Sequence, residues 1–235
     1  MLVDSSLGQV VTLGARRGVQ DVPTPAAGQA VLKDVLAGQP FDAAVTGFVV
    51  ACLPRSKAPV LWVQDRKSRL ENGRVYGPAL RGVTLLRVEV SHPRDVLWAM
   101  EEGAACAGLS AVVGEVHGAP PALDFTASKR LAMRAEATGI PVWLIRSGEE
   151  GGLSAARERW RISSLPSARH PHNAAAPGTA LWEAELFRAR GRAPGTWVAS
   201  HDADARQDAD RLRFLPRSGD GSLAEDRGTA AHAAG

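Results

Sequence analysis

Cysteine and tyrosine are scarce in these 235 residues, with two of the first and one of the second, and aromatic residues reach only 5%. Two cysteines cannot build a disulfide scaffold or a four-cysteine zinc site. Cys52 and Cys106 lie in apolar stretches with no CxxC and no histidine at ligand spacing, so both are read as buried reduced thiols. Long apolar runs are missing too: none approaches the roughly 20 residues that cross a bilayer. Met1–Thr12 lacks the charged, apolar and small-residue zones of a signal peptide. The expected compartment is therefore the cytoplasm, with nucleoid association as a variant. Charge of one sign is also absent, since 28 basic residues face 25 acidic ones. The pI of 9.2 reflects abundant arginine, which permits contact with nucleic acid without establishing it.

What is present is ordinary for a folded domain: 45% apolar and 23% charged residues, enough for a packed core. Residues 1–30 are rich in glycine and proline and hold one short apolar run, Val10–Leu13, so they read as a loosely ordered lead-in. From Val31 the pattern sharpens. Strands are predicted at Val31–Leu36, Pro59–Gln64, Val83–Val90, Leu109–Val116 and Pro141–Ile145. Helices are predicted over Phe41–Leu53, Pro93–Ala107 and Leu123–Thr138, with Gly139 as a stop. Asp65–Gly73 reads as a polar loop. Continuous apolar strands alternating with helices imply a parallel sheet covered on both faces.

Past the flexible break Gly148–Gly152 the character changes. Arg159–Leu165, Leu181–Arg188 and Gly195–Ser200 mix apolar and polar residues in strand fashion, which predicts an antiparallel ribbon on the sheet edge. Ser167–Gly178 reads as a mobile loop. Arg211–Leu215 is a last strand candidate, and residues 216–235 read as a disordered tail. One domain over residues 31–215 is expected.

The first predicted strand leads to a glycine and a helix, the context of a phosphate-gripping loop, GxxxxGK[ST]. The residues there are Gly38-Gln39-Pro40-Phe41-Asp42-Ala43-Ala44-Val45. The first glycine is present. The second is replaced by Ala43, the lysine by Ala44 and the hydroxyl by Val45. Asp42 adds negative charge where a triphosphate would sit, and Pro40 removes a backbone donor. The plain alternative is that Gly38 is merely a turn residue. A second feature expected of such a domain is an apolar strand ending in an acid. Ala111–Glu115 has that form, and Asp65 follows the strand PVLWVQ. Both acids read as vestigial, with Glu115 facing a solvated cleft.

Arg157, Arg159, Arg161, Arg188, Arg190 and Arg192 crowd the ribbon, and the last three alternate as on one strand face. Such a row can track a phosphate backbone, or it can be a solvated edge protected by charge. Trp160, Trp182 and Trp197 are read as core packing in preference to base stacking. His170 and His172 form HxH with no third ligand nearby and read as loop residues. No metal, cofactor or catalytic set is expected.

Seven segments carry a resemblance in order and spacing: PVLWVQ (59–64), VYGP (75–78), PRDVLWAMEE (93–102), LSAVVGE (109–115), LDFTASKRL (123–131), SAARERWRI (154–162) and WEAELFRARG (182–191). Over about residues 31–200 the chain resembles the alphaproteobacterial ImuA family, RecA-like proteins of damage-inducible mutagenesis. The resemblance implies an α/β fold with a RecA-like core: a mostly parallel twisted sheet, helices on both faces and an antiparallel C-terminal ribbon. It implies expression after DNA damage in the SOS response and work in error-prone translesion synthesis beside an ImuB-like protein and an error-prone DNA polymerase, with RecA a further partner. It implies no catalytic residue. The expected function is a non-enzymatic adaptor. The alternatives are a single-stranded DNA-binding module using the arginines, or a weak ATPase with an unconventional loop.

Overall fold

The computed structural model describes residues 31–77, 80, 82–147, 152–202 and 212–217. The expected lead-in 1–30, most of the break at 148–152 and the tail beyond residue 217 lie outside the described residues.

The elements run β1 (Leu32–Ala37), α1 (Ala44–Cys52), β2 (Val60–Asp65), α2 (Arg66–Asn72), β3 (Leu85–Val90), α3 (Pro93–Ala104), β4 (Ala111–His117), α4 (Phe125–Thr138), β5 (Val142–Ser147), β6 (Glu158–Leu165), β7 (Leu181–Ala189), β8 (Gly195–His201) and β9 (Leu212–Pro216). They form one nine-stranded sheet in the order β3-β2-β4-β5-β1-β6-β7-β8-β9. β3 through β6 in that order are parallel, and β6 through β9 are antiparallel. The fold is therefore the expected α/β sheet, mostly parallel and ending in an antiparallel ribbon.

Side chains alternate between two cores because successive strand residues point to opposite faces. On one face, α1 packs Val45, Phe48 and Val49 against Trp62, Trp143, Trp160 and Trp182. On the other, α3 and α4 bring Leu97, Met100 and Leu131 onto Val63, Val112 and Leu144. The three ribbon tryptophans are buried in the first core, where Trp160 lies 6.3 Å from Trp197 and 5.7 Å from Phe48.

Three sequence expectations need correction. Residues 66–72 are helical, because the Asp65 carboxylate accepts the Ser68 N–H at 2.6 Å and caps the first turn. α1 starts at Ala44 and not at Phe41, whose φ of 61° is left-handed and cannot continue a helix. α3 stops at Ala104, so Cys106 sits on an exposed surface turn and not in the core. Ser167–Gly178 closes on itself through a bridge between Arg169 and Pro177, with Gly178 N–H donating to Ala168 O at 3.0 Å. α4 does end where expected, at Gly139, whose φ of 79° suits a residue without Cβ.

Candidate functional site

Open α/β sheets bind ligands beyond the carboxyl ends of their parallel strands. In this chain those ends hold the loop after β1, the Asp65 cap after β2 and the Glu115 region of β4.

The loop after β1 is drawn tightly onto β6. Gly38 N–H donates to Ile162 O at 2.7 Å, and a Cβ on Gly38 would stand 1.9 Å from Ser163 Oγ. Without a Cβ, Gly38 makes that approach with no displacement of the Ser163 side chain. Asp42 then turns its carboxylate inward. Oδ1 accepts the Ala44 N–H at 2.9 Å and the Ser164 hydroxyl, and Oδ2 accepts the Ser164 N–H at 2.7 Å. An exposed amide at a helix start is what would greet a phosphate. Here the first amide of α1 is already satisfied by the chain's own anion. Ala44 and Val45, at the positions of the lysine and the hydroxyl, are buried in the first core, and Ala43 stays exposed.

Glu115 is not in a solvated cleft. It is 1% exposed, and its carboxylate accepts Trp62 Nε1–H at 2.9 Å and Gln64 Nε2–H at 2.6 Å. Burial pushes its pKa up to about 7 against the pull of these donors. Asn72 Nδ2–H donates to Ser147 Oγ at 3.0 Å, and that hydroxyl lies 3.2 Å from His117 Nδ1. This polar cluster on β2, β4, β5 and α2 was not predicted. Its members are far apart in sequence, and only the PVLWVQ strand gave a signal, through a Trp and a Gln that need partners when buried.

The ribbon arginines separate into different environments. Arg159 is buried, with Nε 3.2 Å from Asp34 Oδ2, and Arg146 Nη1 approaches the same oxygen at 3.3 Å. Burial raises the pKa of Asp34 and the two guanidiniums oppose that rise. Arg157 pairs with Glu136 at 2.6 Å, Arg161 with Glu185 at 2.7 Å and Arg192 with Glu158 at 2.6 Å. Arg188 and Arg190 are exposed, with no ion pair among the described residues. A bulge in the β6–β7 register aligns Trp160 with Leu186 and Arg159 with Arg188. That bulge turns Arg188 away from the core face that Leu186 occupies. The alternating row of three is broken further on, where β7 ends at Ala189 and the chain turns at Gly191, so that Arg192 folds back over the Trp160 ring.

His170 and His172 contact each other at 6.1 Å between ring centroids, and among the described residues no three metal-ligating side chains converge. No helix among those residues is long and apolar enough to cross a membrane. No protein-family model matches the chain, and no curated protein matches it.

Proposed function

We propose that the chain is a non-catalytic adaptor of error-prone translesion DNA synthesis, acting beside an ImuB-like protein and an error-prone polymerase, with RecA as a further partner. The partners come from the sequence resemblance over residues 31–200. The single observation that carries the non-catalytic part is the start of α1. The Asp42 carboxylate takes the amide that a phosphate would need, and the neighbouring Ala44 and Val45 face the core. A carboxylate in that place repels a triphosphate and leaves it no cation to lean on. Asp65 and Glu115, the acids that would hold metal and water, are engaged as a helix cap and a buried hydrogen-bond acceptor. A nucleic-acid role for the ribbon ranks below this, because four of its six arginines are committed to carboxylates.

The test is recovery of the tagged full chain, after mild cross-linking, from cells treated with a DNA-damaging agent. Co-purification of the ImuB-like protein with the error-prone polymerase is the expected result. Recovery with neither the ImuB-like protein nor RecA refutes the adaptor reading.

A further inference from the structure

α3 follows β3 and α4 follows β4, the two strands that flank β2, and the helices pack side by side on one face of the sheet. Three hollows run between them and share lining residues. The first lies among His92, Pro93 and Pro120 at the strand ends and meets the second at Arg94 and Ala122. The second, lined by Leu97 and Trp98, meets the third at Glu101 and Arg130. The third ends among Met133, Arg134 and Ala137. They follow one another as a shallow groove along the seam of the two helices, bridged between the second and third hollows by the Glu101–Arg130 pair. A twelve-residue helix such as α3 is about 18 Å long, so the groove accepts roughly three turns of helix.

Its walls are not explained by folding. α3 already buries Val96, Leu97, Met100 and Ala104, yet Trp98 stands 65% exposed, and Met133 on the facing helix is 61% exposed. A single exposed apolar residue is ordinary. A tryptophan and a methionine on opposite walls of one groove are the kind of anchors that carry binding energy. The polar lining is cationic: Arg94, Arg130 and Arg134 against Glu101. Glu101 holds Arg130 at 2.9 Å, and Arg94 leans on Asp95 in an exposed contact at 3.5 Å. Arg134 has no ion pair among the described residues.

We infer that the α3–α4 groove docks an acidic amphipathic helix of a partner protein, its apolar side chains seated between Trp98 and Met133 and its carboxylates facing Arg134, the rim guanidinium without an ion pair among the described residues. This rests on the adaptor reading, for which it supplies a surface. The occupant is a helix because the groove matches helix length and offers anchors on two walls. Its acidity follows from the charge of the rim.

Trp98 provides the readout. The sequence has six tryptophans, and the other five are buried, so iodide quenching of the full chain reports on Trp98 alone. The probe is a labelled synthetic helix with Leu and Phe at i, i+4 and i+7 and Asp or Glu at its other surface positions. Its control has each acid replaced by lysine. The expected result is saturable binding in the micromolar range, weakened about tenfold between low and moderate salt, with Trp98 shielded from iodide. Trp98→Ala and Met133→Ala each weaken it by about fivefold or more, while Arg188→Glu leaves it unchanged. Equal binding of the lysine control overturns the proposal, as does full affinity in Trp98→Ala with unchanged circular dichroism. Self-association lost in Trp98→Ala assigns the face to a second copy, and displacement of the probe by single-stranded DNA assigns it to nucleic acid; each of these overturns it too. A chain that turns over nucleotide but binds the probe sinks the adaptor reading alone. A chain that ignores both nucleotide and probe sinks the groove alone.

Discussion

The carboxyl ends of the parallel strands and the outer surface of α3 and α4 are built on opposite principles. At the strand ends Asp42, Asp65 and Glu115 all accept hydrogen bonds from nearby N–H groups of the same chain. On the helix surface Trp98 and Met133 face solvent with no fold-internal reason to do so. The difference teaches where to look for function. Positions that would carry chemistry in a nucleotide-binding sheet are spent on holding this sheet together. The unexplained free energy lies on a face that carries no catalytic motif.

Removing an interior charge should separate the two regions most sharply. Asp34→Ala leaves Arg146 and Arg159 buried without their counter-ion and is expected to cost about 3–5 kcal/mol, read from the urea midpoint. Next comes Glu115. Its folded pKa of about 7 lies above the ordinary 4.5, so between those values the folded chain keeps a proton that the unfolded chain has lost. Stability is therefore full below about pH 4.5 and is lost as pH rises through 7, by about 2–3 kcal/mol in urea titrations. Asp34, also raised by burial, adds a slope of the same sign, so the diagnostic quantity is the part of the slope that Glu115→Gln removes. Asp42→Ala should cost about 1–2 kcal/mol through loss of the helix-start bond and the latch to Ser164. Trp98→Ala should move the midpoint by no more than about 0.5 kcal/mol, which makes it a binding mutant and not a folding mutant.

Much of the sheet was legible because β2, β4 and β5 are nearly continuous apolar runs, the signature of strands covered on both sides, and β1 departs from that only at Lys33 and Asp34. What the sequence hid was non-local. Asp34 meets Arg146 and Arg159 across 112 and 125 positions, and Glu115 meets Trp62 across 53. No periodicity announces such pairs, so Arg159 read as a surface arginine and Glu115 as a solvated acid. α2 was missed because it is short and buries only Ser68, which leaves no apolar stripe. The arginine row assumed a strand running to Arg192, but β7 ends at Ala189 and the chain turns at Gly191. Trp98 lay in plain view within DVLWAMEE, but only the placement of Leu97 and Met100 against the sheet shows that it points outward.

The adaptor reading requires that the α1 start not hold a nucleotide. Calorimetric titration of the full chain with Mg-ATP, carried to about millimolar nucleotide, tests it most directly. No saturable heat and no phosphate release are expected, in the native chain and in Asp42→Ala alike, because Ala44 and Val45 still offer neither cation nor hydroxyl. Saturable binding that Ala44→Asp abolishes, with turnover in the native chain, would contradict it.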